Sequence, residues 1–208
     1  MTPGILSTSK VVLERRRRRT AAPDPYPAAH EQARHELKLL CSLVVANPAS
    51  AASLAQLAES DVERADGALV FGVLLHMAGY ADGAQFWWGF AAGCGSDVAA
   101  SCLSLYHQSL GELRDGDLWR RQAEALTRPR RATATRGRPL LPRWVRTALL
   151  GASLDGGDAR LPARLAAVLK SLPLDPDDDE YPEVPRWQPD LHHRIAAAAS
   201  ALATATGR

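Results

Sequence analysis

Between residues 28 and 126, apolar positions recur every three to four residues and are interrupted by short breaks of Gly, Asn or Pro. Leu37, Leu40, Cys41, Val44 and Val45 form an i, i+3, i+4, i+7, i+8 stripe, which predicts an amphipathic helix from about residue 28 to Asn47-Pro48. Asn47 suits either a left-handed helix end or a cap on the next helix, and Pro48 suits a first helical position. Leu54, Leu57 and Ala58 give a second helix its apolar side. A third helix is predicted over about 62–78, carrying Leu69, Val70, Val73, Leu74 and Met77, and Gly79 ends it. A fourth spans about 81–92 with Phe86, Trp87, Phe90 and Ala91 facing inward; Gly93 and Gly95 close it. Ser96 reads as the N-cap of a fifth, which stops at Gly111. A sixth, about 115–126, presents Leu118, Trp119, Gln122, Ala123 and Leu126.

Asn47, Gly79 and Gly111 stand 32 positions apart, and the same shift carries Ala68 onto Ala100, Trp87 onto Trp119 and Ala91 onto Ala123. A fixed interval of this size is the signature of helix–turn–helix units that must stack to cover their apolar faces. The expected fold is therefore all-α, with stacked helical hairpins arranged as a short α-solenoid or a compact helical bundle. Small residues at 68, 91, 92, 100 and 123 let helix backbones approach, with Trp87 or Trp119 filling the groove beside them.

The pattern changes on either side of this region. Residues 1–27 combine the run Arg15 to Arg19 with Pro23, Pro25 and Pro27 and little to bury, so they read as a disordered basic leader. Residues 128–146 hold seven Arg, no acidic residue and three Pro, and read as a basic linker. Residues 147–208 read as a C-terminal helical segment: a short helix over about 144–150 ending at Gly151, another over 162–172, an acidic loop at 175–180 and a last helix over about 190–203.

The motif set Ala68, Phe71-Gly72, Leu74-Leu75, Gly79, Ala84, Trp87-Trp88, Ala91-Ala92 and Gly95 restarts at Ala99-Ala100, Leu103, Tyr106 and Gly111, followed by Trp119 and Ala123. It resembles the Sel1-like branch of the tetratricopeptide-like repeats over a third to a half of the chain. The resemblance implies an α-solenoid, an adaptor-type function and a partner bound in a concave surface. The chain departs from the family in its shorter interval and in its weakly matching first unit.

Composition narrows the class of function. At 208 residues with 46% hydrophobic and 23% charged positions, the chain suits one substantial core. Of its 25 basic residues only Lys10, Lys38 and Lys170 are lysine, which with abundant Ala is what a GC-rich bacterial genome encodes. Cys41, Cys94 and Cys102 lack metal-ligand spacing and read as reduced core residues of a cytoplasmic protein. The Arg15 to Arg19 run is not followed by the apolar stretch of a secretory signal, and no apolar run is long enough for a membrane span.

The chemistry-bearing residues are few. His76 and His107 sit near helix ends, where the helix dipole suits them. Neither His192-His193 nor the pair His30 and His35 has good spacing for a shared metal, so no metal or cofactor is expected. No nucleophile elbow, phosphate loop or dinucleotide fingerprint occurs, and no enzymatic activity is expected. Trp88 lies about 130° around its helix from the predicted apolar stripe, at ~100° per residue. It either packs against the next hairpin or stands exposed as an anchor, and with Arg120 and Arg121 it is the candidate partner-binding set.

The expected function is a non-catalytic protein–protein interaction module, a bacterial regulatory or adaptor protein. The alternative is a transcription-associated factor that contacts nucleic acid or RNA polymerase through Arg128, Arg130, Arg131, Arg136 and Arg138. Arg136-Gly-Arg-Pro139 reproduces the core of an AT-hook, whose arginines enter a narrow minor groove. The acidic loop could equally neutralise this basic segment within the chain.

Overall fold

Gly79 and Gly111 adopt the same left-handed backbone, at φ 95° and 81°, and each ends one helix of a hairpin. In a computed structural model, which describes residues 28–57, 64–127, 140–141, 143–157, 160–174 and 183–206, the backbone bonds around the two glycines are also equivalent. The N–H of Tyr80 donates to the Leu75 carbonyl at 2.9 Å and that of Gly79 to His76 at 3.0 Å; Glu112 donates to His107 at 2.9 Å and Gly111 to Gln108 at 3.0 Å. These are matching Schellman-type ends, 32 residues apart, made possible by glycine's freedom at positive φ.

Nine helices and no strand occur among the described residues. They are α1 (Ala29–Ala46), α2 (Ser50–Gln56), α3 (Arg64–Ala78), α4 (Ala81–Gly93), α5 (Asp97–Ser109), α6 (Leu113–Leu126), α7 (Arg143–Leu154), α8 (Ala163–Lys170) and α9 (Leu191–Thr206). The fold is all-α. Ser96 caps α5 as its sequence suggested, its hydroxyl accepting the Ala99 N–H at 3.2 Å.

The pairs α3–α4 and α5–α6 are antiparallel hairpins that cross at equivalent positions. A Cβ on Gly72 would stand 3.2 Å from the Ala84 carbonyl oxygen; the counterpart of this pair is Ser104, which donates to the Gly116 carbonyl at 2.8 Å. The first unit breaks the pattern. Asn47 has φ −61°, not a left-handed conformation, and its side chain accepts the Ala49 N–H at 2.9 Å. It therefore caps the following segment, and α1 and α2 diverge at 81° instead of folding back on each other. With α1 released from a hairpin, its stripe of Ala33, Leu37, Cys41 and Val45 packs on α5 and α3. An open stack would join each unit only to its neighbours; the contact of α1 with α5, two units on, makes this arrangement a bundle.

Helix α3 lies in the middle. Every residue from Gly67 to Leu75 is buried, among α2, α4, α1 and α8. A helix apolar all round is a core helix. The C-terminal third joins the same core. Val145, Leu149 and Ser153 of α7 face α1; Leu165 and Leu169 of α8 and Leu191, Ile195 and Ala199 of α9 bury a second seam.

Two expected boundaries move, and one burial expectation fails. Leu140, Leu141 and Val145 are buried and α7 begins at Arg143, so part of the expected linker joins the core instead. Helix α7 also runs through Gly151, where a Cβ would meet nothing within 4 Å, and is turned by Gly156 at φ 73°. Cys94 is exposed at the end of α4, unlike Cys41 and Cys102. The basic leader and the acidic loop at 175–180 lie outside the described residues.

Candidate functional site

The inward face of α4 is Gly83, Ala84, Trp88, Ala91 and Ala92, not Phe86, Trp87 and Phe90. Trp88 is fully enclosed, at 0% exposure, while Phe90 is 38% exposed. This corrects the reading of Trp88 as a partner anchor: its indole offers no surface. It fills the notch left by Gly72, with its ring centre 5.3 Å from that of His76 and 6.3 Å from that of Tyr106. The misreading came from the rings themselves. Phe86, Trp87 and Phe90 form an edge-to-face cluster with Phe71 that is only half covered, while the smaller residues Ala84 and Ala91 mark the true interior.

Arg120 and Arg121, by contrast, are exposed on α6. The Arg120 guanidinium lies 3.2 Å from Asp117 and 2.8 Å from Glu124, an i,i+3 and i,i+4 network on one helix face. Arg121 lies on a neighbouring stripe, Arg114, Leu118, Arg121 and Ala125, all exposed, with Leu118 at 57%. At about 100° per residue this stripe lies opposite Gly116, Trp119 and Ala123, the side that meets α5. Leu118 and Gln122 thus face outward, contrary to the expected inward set. Leu110 and Leu113 at the turn into α6 are also exposed, at 55% and 62%.

A second feature was missed in the sequence. A cavity of about 460 Å³ opens between α1, the end of α3 and the start and end of α8. Its wall is made by Lys38 and Cys41, by residues 76–79, and by Arg160, Leu161, Ala166 and Lys170. Burial holds the His76 imidazole down at about pKa 4, with the Lys38 charge as the smaller cause, so the ring is neutral near pH 7. Cys41 and Cys102 meet across α1 and α5; their hydrogen bond, with burial, pushes the Cys102 thiol well up, which makes it a poor nucleophile. Nothing in the sequence announces that Lys38 converges with Arg160 and Lys170, because the chain from α1 to α8 crosses the bundle between them.

His107, Glu112 and Asp115 place one ligand-type atom each within 4.8 Å of one another at the α5–α6 turn. His107 Nδ1 and Glu112 Oε2 are 2.7 Å apart, a bond that closes the turn. His192 and His193 stack with ring centres 3.9 Å apart, closer than their adjacency on a helix suggests. Arg128, Arg130, Arg131, Arg136 and Arg138 lie outside the described residues. Arg146, counted with them in the linker, instead donates to the Ala46 carbonyl at 3.1 Å, at the C-terminal end of α1. No single helix among the described residues is long and apolar enough to cross a membrane.

Compared with models of known protein families, with curated proteins and with solved structures, the chain gives no match.

Proposed function

We propose that this chain is a non-catalytic protein–protein interaction module, an adaptor-type protein of the bacterial cytoplasm built on Sel1-like or tetratricopeptide-like hairpins, and that its partner docks on the outward face of α6. One observation carries the reading. Helix α6 is held by α5, and its opposite stripe presents Leu118 between Arg114 and Arg121, with Ala125 beyond them. In the preceding hairpin the position equivalent to Arg120 is Trp88, which is buried against α3 and α5. Among the described residues no further hairpin succeeds α6 in the array, and the same position is polar. A terminal helix with an apolar-cationic stripe suits a partner helix carrying Leu-type anchors flanked by carboxylates, since Arg is favoured at interface hot spots. The matching helix ends at Gly79 and Gly111 support the repeat reading.

The test is capture from a native-host lysate on the immobilised full chain, compared with a Leu118→Glu/Arg121→Glu variant, with and without nuclease. The expected result is a protein retained by the unmodified chain, lost by the variant and indifferent to nuclease. Equal retention by the variant removes α6 as the docking face. Loss on nuclease treatment moves the function to the nucleic-acid alternative and its Arg128 to Arg138 segment.

A further inference from the structure

We infer that the cavity between α1, the α3 terminus and α8 is a binding site for a small free organic anion, an oxyanion group such as a phosphomonoester joined to an apolar body. The site is separate from the α6 face and does not depend on the interaction reading.

The cavity's volume of about 460 Å³ falls within the range of ligand pockets. Its floor and sides are apolar: Cys41, Met77 and Leu161 are buried and Ala166 is half-buried. Among the described lining residues the formal charges all have one sign. Lys38, Arg160 and Lys170 reach it from three stretches of chain, and none of the described lining residues is acidic. Lys38 and Arg160 each also interact with another group of the chain; for a ligand the relevant feature is the shared sign of the charges.

A helix-end explanation accounts for only one of the three cations. Lys170 closes α8, where a positive charge complements the negative pole. Arg160 stands just ahead of the first residue of α8, at the positive pole, where the dipole opposes it. Lys38 lies in the middle of α1, away from either end. Convergence of like charges without a dipole reason is favourable once an anion enters. Guanidinium supplies a fork for two oxyanion atoms and lysine a point charge. His76 adds a neutral ring at the wall, and Gly79, whose Cβ position has nothing within 4 Å, keeps the rim open.

The test is calorimetric titration of the full chain with 1-naphthyl phosphate, inorganic phosphate, 1-naphthol and 1-naphthylmethylammonium. Naphthyl phosphate should bind at least tenfold tighter than each of the other three. Arg160→Gln/Lys170→Gln, which alters two exposed side chains, should weaken it at least tenfold while leaving the circular dichroism spectrum of the fold unchanged. Ala166→Phe, which keeps every charge and fills the space, should abolish it. The assignment fails if naphthyl phosphate does not bind, if the ammonium analogue binds as well, or if the Gln variant binds as tightly as the unmodified chain. A last arm separates a free ligand from a lipid headgroup. Vesicles containing phosphatidic acid should leave the chain in solution; sedimentation abolished by Arg160→Gln/Lys170→Gln would overturn the free-molecule assignment.

Discussion

Trp88 occupies the space that any side chain on Gly72 would need: a Cβ there would stand 2.7 Å from Cδ1 and 2.8 Å from Nε1 of the indole. The ring is fully enclosed and cannot swing away, so Gly72→Ala must push α3 and α4 apart. Overpacking costs about 1–3 kcal/mol, partly offset by the ~1 kcal/mol that Ala gains over Gly in a helix. We expect a net loss of up to about 2 kcal/mol in urea unfolding. Gly89, on the same helix as Trp88, faces open space; Gly89→Ala should stabilise by about 0.5–1 kcal/mol. If both substitutions move the midpoint the same way, the close approach of α3 and α4 is wrong.

The contrast between these glycines shows what could be read from the sequence. Helix ends were legible, because Gly79, Gly95, Gly111 and Ser96 carry backbone chemistry that acts locally. Which face of α4 is buried was not. Trp87 and Trp88 are equally apolar, and only the notch at Gly72, sixteen residues earlier, selects Trp88. The first unit failed for a similar reason. Asn47 can cap in two ways, and the packing of α1 on α5 decides between them. The cavity was invisible because Lys38 is distant in the chain from Arg160 and Lys170.

The stability of the protein should fall in mild acid through His76. The ring's pKa is lowered in the fold to about 4, against about 6.5 in the unfolded chain. Between these values the unfolded chain binds more protons, so stability is complete above pH ~6.5 and declines as pH falls towards ~4. The slope approaches ~1.4 kcal/mol per pH unit, and the whole effect is on the order of 3 kcal/mol. Urea unfolding at pH 7, 5.5 and 4.5 should show His76→Gln losing less stability across this window than the unmodified chain. Parallel losses in the two proteins would place the acid sensitivity elsewhere.

The three cysteines should separate by reactivity. Cys94 is exposed, whereas Cys41 and Cys102 are at 1% and 0% exposure, the Cys102 thiol held protonated by its Cys41 hydrogen bond and by burial. Titration with a thiol reagent at pH 8 should show one fast thiol, absent in Cys94→Ser, and two that react only as the chain opens. Three fast thiols would mean that α1 and α5 are not packed as described.

The outward stripe of α6 and the buried ring of α4 should respond in opposite ways to truncation. Leu118→Ala and Arg121→Ala remove exposed side chains and should leave Tm within the change produced by about 0.5 kcal/mol. Trp88→Ala empties a closed pocket between α3 and α5 and should cost about 3–5 kcal/mol. Partner loss in the α6 variants then reports on binding, while partner loss in the Trp88 variant reports on unfolding. A large Tm drop from Leu118→Ala would show that α6 is covered by some part of the chain.

Helices α1 and α7 are joined by a buried polar pair that offers a double-mutant test of the C-terminal docking. The Ser42 and Ser153 hydroxyl oxygens lie 2.7 Å apart, and Ser153 Oγ also lies 2.9 Å from the Leu149 carbonyl. Both side chains are wholly buried. Ser153→Ala leaves the Ser42 hydroxyl without its cross-helix partner, at a cost of about 1–2 kcal/mol, and Ser42→Ala should do the same from the other side. The double variant removes both polar groups and should cost less than the sum, with a coupling of about 0.5–1.5 kcal/mol. Strict additivity in urea unfolding would show that the hydroxyls do not meet, and with that α7 would lose its placement on α1.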